Sequence, residues 1–138
     1  MVYPMFMMVF ITLGILCLAL AARVQSVITG QVKARSYKLM DAEVYPDNVI
    51  KTTRNFNNQF EIPVLFYIGC LLFLVLDIDS ALGLALAWSF VSARFFHAVV
   101  HITYNKLYHR MFAFWMGNIS VAALWITLAT KVFLQDLF

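Results

Sequence analysis

The sequence predicts an all-α integral membrane protein, a bundle of four transmembrane helices. Three observations carry that expectation. Hydrophobic residues make up 63% of the 138-residue chain and charged residues only 12%, about half the charge that covers a soluble domain. Mean hydropathy is +0.83. The apolar residues fall into four runs, each able to reach across a hydrocarbon core of about 30 Å once flanking residues are included. A single domain over 1–138 fits this length. The net charge of +3 is too small to argue for nucleic acid. Cys17 and Cys70 both sit in apolar stretches and read as membrane-buried small hydrophobes rather than a disulfide pair.

Pro4 to Ala22 carries no charge and spans on its own. Ala19-Leu20-Ala21 resembles a signal-peptidase site, yet no Lys or Arg precedes the apolar run, so the segment reads as a retained span. The second run, Ile62 to Leu76, is short. Traced backwards through Glu61 and Arg54 to about Asp47, it gains ample length, with Pro46 before the helix start and Asp47 or Asn48 to cap it. Pro63 lies inside this helix and is expected to kink it, freeing the carbonyl of Gln59. Asp77-Ile78-Asp79-Ser80 reads as a tight polar turn. The third span starts at Ser80 and continues through Arg94 to about Asn105. Ala81/Ala85 and Gly83/Ala87 give it small residues four apart, which lets helix backbones approach. Met111 to Thr130 forms the fourth span.

Basic residues decide the orientation. Arg23, Lys33, Arg35, Lys38, Lys51 and Arg54 lie between spans one and two, and Arg94, Lys106 and Arg110 flank the third loop. The opposite side carries Asp77, Asp79, Asp136 and Lys131. Positively charged loops stay in the cytoplasm, so both termini are expected outside it. The short chain without an obvious organelle signal points to a bacterial inner membrane.

Charged groups inside apolar segments are the functional signal, because an ionisable side chain in hydrocarbon costs at least about 2.5–3.5 kcal/mol. Arg54, Asn58 and Glu61 stand at i, i+4 and i+7, with Asn57 at i+3, on one helical stripe. Arg94, His97, His101 and Tyr104 form a second stripe. Together they predict a cationic recess between helices two and three, within reach of Arg110. Glu61 pairing with Arg54 or Arg94, and His97 with Asn58, would merely hold helices together. Yet Lys33, Arg35, Arg54, Arg94 and Arg110 outnumber the one carboxylate, Glu61. Surplus arginine suits a small anionic ligand, whose carboxylates it can grip bidentately. His97 and His101 have the spacing of a helical zinc pair, but the neighbouring arginines repel a cation and no thiolate lies nearby in sequence, so no metal is assigned. No glycine-rich phosphate loop exists among the five glycines. Such stripes cannot face lipid, and four helices cover them only in part, so oligomerisation is expected.

These residues resemble the membrane-associated proteins in eicosanoid and glutathione metabolism, the MAPEG family. The resemblance covers nearly the whole chain. Ile28-Thr29-Gly30-Gln31-Val32-Lys33-Ala34-Arg35 is similar to the end of helix one in the family's prostaglandin E synthases. Arg54-x3-Asn58-x2-Glu61 followed by Pro63 resembles the R-x3-N-x2-E motif, and Arg94-x2-His97 with Arg110 resembles the motifs of helices three and four. The resemblance implies a homotrimer binding glutathione near the cytoplasmic face. Arg54, Asn58, Glu61 and His97 would hold the tripeptide, with Lys33 assisting and Arg94 and His101 completing the binding set. Arg110 would be catalytic, stabilising the glutathione thiolate. The implied activity is glutathione transfer, with peroxidase activity as a companion, to a lipophilic second substrate drawn from the lipid bilayer. The alternative is a non-catalytic lipid-binding or scaffold protein of the same fold. His101 stands where the family often has tyrosine, Asn57 where it often has arginine, and Met111 where the prostaglandin E synthases have serine. That last difference speaks against prostaglandin isomerisation.

Overall fold

The computed structural model describes residues 1–39 and 44–135. Within them α1 covers Val2–Ile28, a single short turn α2 covers Ser36–Leu39, and α3 covers Asp47–Asn57. A 3-10 turn, Asn58–Phe60, leads to α4 (Ile62–Val75); α5 (Ala81–Ile102) and α6 (Leu107–Gln135) follow. Four stretches are long and apolar enough to cross a membrane: Val2–Ile28, Asp47–Val75, Ala81–Ile102 and Leu107–Leu134. All four expected crossings are therefore present.

Their ends differ from the expectation for identifiable reasons. The first helix runs on past Ala22 to Ile28. Ser26 Oγ bonds the Arg23 carbonyl and Tyr37 Oη, both at 2.7 Å, so the last turns are held by the following loop. Gly30, at φ +72, ends the helix, with Gln31 N–H reaching back to the Ser26 carbonyl at 2.9 Å. That left-handed closure is the one glycine serves best. The third crossing stops at Ile102, short of Asn105. Asn105 has φ +48 and its N–H bonds the Val100 carbonyl at 2.8 Å. Asparagine is the next residue to tolerate that conformation. The fourth helix begins at Leu107, one turn ahead of Met111.

The second crossing corrects the expectation of one kinked helix. It is two helices, α3 and α4, joined by the 3-10 turn and by Glu61 at φ −96, ψ −106. Pro63 occupies the second position of α4, where its missing N–H has no helical partner to lose. The freed carbonyl that finds a partner from another helix is that of Asn58, not Gln59. At the start of α3 Pro46 holds the N-cap place without a side-chain bond, while Asn48, one residue inside the helix, accepts the Val49 N–H on Oδ1 at 2.9 Å.

The turn over residues 77–80 is present as expected. Asp77 takes φ +51 and Ile78 tucks in, 6% exposed. Ser80 Oγ accepts from the Gly83 N–H at 3.0 Å and so caps α5. Of the small residues, Gly83 and Ala87 face inward while Ala81 and Ala85 are exposed. A Cβ on Gly83 would lie 3.0 Å from Phe73 Cζ, so this glycine permits the close approach of α5 to α4.

The apolar core lies among α1, α4, α5 and α6. Phe66 stacks on Phe90 with ring centroids 4.6 Å apart, and Met8, Phe73, Val91 and Leu124 close around them. α5 packs most extensively on α6. Large apolar side chains such as Phe6, Phe10, Phe112 and Phe133 point outward, as a lipid solvent allows. The buried polar set, including Asn55, Gln59, Arg94, His97 and His101, belongs to the half of the bundle where α3 meets α5.

Candidate functional site

That buried polar layer backs a recess of about 470 Å³. The second crossing supplies Arg54, Asn57, Asn58 and Glu61 to its wall; α5 supplies His97 and His101, and α6 supplies Arg110, Met111 and Phe114. The i, i+4, i+7 spacing of Arg54, Asn58 and Glu61 survives the helix break because the 3-10 turn keeps nearly the same direction of winding. All three therefore face one cavity.

Each wall is fixed from behind. His97 and His101 are 2% and 3% exposed, with ring centroids 5.7 Å apart. The Nδ1 atoms of both rings are buried and have no hydrogen-bond partner. Phe114 lies against His97 at 5.9 Å between ring centroids. Arg110 donates from Nη1 to Asn105 Oδ1 at 3.0 Å. Asn55 Nδ2 donates to the Ala98 carbonyl at 3.3 Å, and Gln59 Nε2 donates to the Asn55 carbonyl at 3.0 Å, tying α3 to α5 beneath the recess.

Six of the eight residues expected at a site thus come together: Arg54, Asn58, Glu61, His97, His101 and Arg110. Arg94 does not line the recess. It is 1% exposed and donates from Nη2 to the Asn58 carbonyl at 2.6 Å. Lys33 is exposed in the segment after Gly30, outside the lining of this recess. Tyr104 leaves the α5 stripe because the helix has ended; its Oη bonds His109 Nδ1 at 3.1 Å. Phe114 was not anticipated, since an apolar residue in an apolar span carries no chemical signal. Its one clue was its place, four residues after Arg110.

The helix-glue pairings are not what joins these helices. Among the described residues no ion pair links Arg54 or Arg94 to Glu61, and no hydrogen bond links His97 to Asn58. Arg54 and Glu61 are both exposed on the recess wall. An open cavity with two arginines and one carboxylate on its wall can receive a zwitterionic ligand carrying excess negative charge. Its volume lies in the range of about 300–1,000 Å³ usual for small-molecule sites.

The sequence profile of the MAPEG family matches residues 1–130. The chain belongs to the MAPEG family. No curated protein and no solved structure gives a significant match. This MAPEG protein is an integral membrane protein with four membrane-crossing helical segments.

Proposed function

We propose that this protein is a membrane glutathione transferase, joining the glutathione sulfur to a lipophilic electrophile. The observation that carries the reading is the convergence of Arg54, Asn58, Glu61, His97 and Arg110, from three crossings, on one open recess. Glutathione brings two carboxylates, one ammonium and a thiol. Arg54 suits a carboxylate, Glu61 suits the ammonium, and Asn58 and His97 offer neutral hydrogen bonds. Arg110 is the cation assigned to the sulfur.

The chemistry follows from that assignment. A thiol that ionises near pH 8.5 becomes a nucleophile when nearby cations favour its charged form. The thiol proton leaves to water through the open recess, and Arg110 holds the charge that remains on sulfur. The thiolate then attacks an electrophilic carbon. A sulfur–carbon bond forms, and the displaced group departs with its electron pair. Met111 and Phe114 give the recess an apolar side suited to the second substrate arriving from the bilayer. The excess of basic residues around Lys33 to Arg54 and Lys106 to Arg110 supports a recess that opens to the cytoplasm, with both termini on the other side. A homotrimer would cover the exposed flank of Arg54 and Glu61 and bring a neighbour's Lys33 into range.

Ultraviolet absorbance of the thiolate tests this directly. Glutathione added to the purified protein near neutral pH is expected to produce a thiolate signal in proportion to bound ligand. Binding without ionisation would favour a non-catalytic protein of the same fold. No binding at all would refute the glutathione reading.

A further inference from the structure

Arg94 is the most deeply buried charge of the described residues, at 1% exposure, and none of its surface lines the recess. Removing a guanidinium from water costs several kcal/mol, and a core position would be filled more cheaply by Leu or Met. Here the guanidinium makes one hydrogen bond, from Nη2 to the Asn58 carbonyl at 2.6 Å, while its Nε is buried and unpartnered. The carbonyl it serves lies at the helix break. In an uninterrupted helix the Asn58 oxygen would accept from residue 62. With α3 ending at Asn57 and Glu61 out of helical geometry, the part-buried oxygen loses its helical donor and is served by another. Asn58 and Glu61, at the two ends of this break, are both recess residues.

We propose that Arg94 is a positioning residue: by holding the Asn58 carbonyl it pins the backbone of the break, so that Glu61, at the other end of that break, is presented to an amino group of the ligand. This rests on the glutathione reading, in which that group is the γ-glutamyl ammonium. A guanidinium that only stabilised the bundle would affect every ligand alike. A positioning guanidinium affects the recognition of one group.

The experiment compares two probes by calorimetric titration of the purified full-length protein. One is glutathione; the other is glutaryl-cysteinyl-glycine, which lacks only the amino group. Wild type is expected to prefer glutathione by about tenfold or more, the worth of one charge-assisted contact. Glu61→Gln and Arg94→Met should each abolish most of that preference. The double variant should lose little beyond either single one, because coupled residues are not additive. Arg94→Lys keeps the charge with a different reach, and should fall between wild type and Arg94→Met. Retained preference in Arg94→Met, or fully additive losses, would overturn the proposal. Should Arg94→Met fail to fold, Arg94→Lys decides: an unchanged preference overturns it and a partial loss supports it. Wild type binding neither probe would instead sink the glutathione reading itself, and the positioning role with it.

Discussion

Arg110 and Asn105 are joined by a 3.0 Å hydrogen bond from Nη1 to Oδ1, which ties the loop between α5 and α6 to a residue of the recess wall. Asn105 is the residue that takes φ +48 to end α5, so one side chain both turns the chain and holds the cation assigned to sulfur.

Two substitutions separate those duties. Asn105→Gly suits the left-handed backbone and removes only the side-chain bond. Its melting temperature is expected to stay near wild type while turnover falls a few-fold, the worth of one hydrogen bond. Asn105→Val forces a β-branched residue into that conformation, at a cost of at least about 1–2 kcal/mol, and should lower the melting temperature as well. Equal turnover in Asn105→Gly and wild type would show that Arg110 needs no support from the loop.

Arg110 itself should act on chemistry. Arg110→Leu loses one charge-assisted hydrogen bond to sulfur, roughly 1.5–3 kcal/mol, and thiolate at neutral pH should drop about 10- to 150-fold with the protein still folded. An interfacial anchor would behave in the opposite way, with reduced yield and full activity per molecule. Full activity of purified Arg110→Leu removes the catalytic assignment.

Arg54 and Glu61 should act on binding. Both are exposed on the recess wall, placed to pair with ligand charges throughout the reaction. Arg54→Ala and Glu61→Gln should raise KM for glutathione about tenfold or more with a much smaller change in kcat, the pattern of uniform binding. Steady-state kinetics with glutathione varied at saturating electrophile gives the answer, and a fall confined to kcat contradicts the assignment.

Stability should also respond to packing where α4 meets α6. Gly69 is buried, and a Cβ there would sit 3.3 Å from Leu124 Cδ2 and 3.4 Å from Trp125 Nε1. Trp125 Nε1 donates to the Leu65 carbonyl at 3.1 Å beside it. Gly69→Ala needs a shift of a few tenths of an ångström and should be tolerated. Gly69→Leu must push the helices apart, and overpacking of this kind costs about 1–3 kcal/mol. Thermal unfolding in detergent should rank them wild type, Ala, Leu; a Leu variant as stable as wild type would mean that the α4–α6 contact is loose.

The sequence by itself determined the four crossings and which residues share a face. Hydrocarbon allows few ways to satisfy a backbone, so apolar length reads directly as a helix. A charge inside such a helix has no indifferent position, so the spacing of Arg54, Asn58 and Glu61 and of His97 and His101 already marked the recess walls.

Tertiary structure decided what spacing leaves open. Periodicity places Arg94 and His97 on one face of α5, yet one lies behind the wall and the other in it, because the break at Glu61 brings the Asn58 carbonyl to the guanidinium. Pro63 announced a disturbance in the second crossing, but not that the helix would stop and restart. Phe114 and Met111 joined the recess through the approach of α6, and apolar residues in an apolar span do not declare such contacts. Lys33 lies beyond the Gly30 turn that ends α1 and outside the lining of the recess. A helical repeat sets direction within one helix; the meeting of atoms between helices depends on where each helix ends.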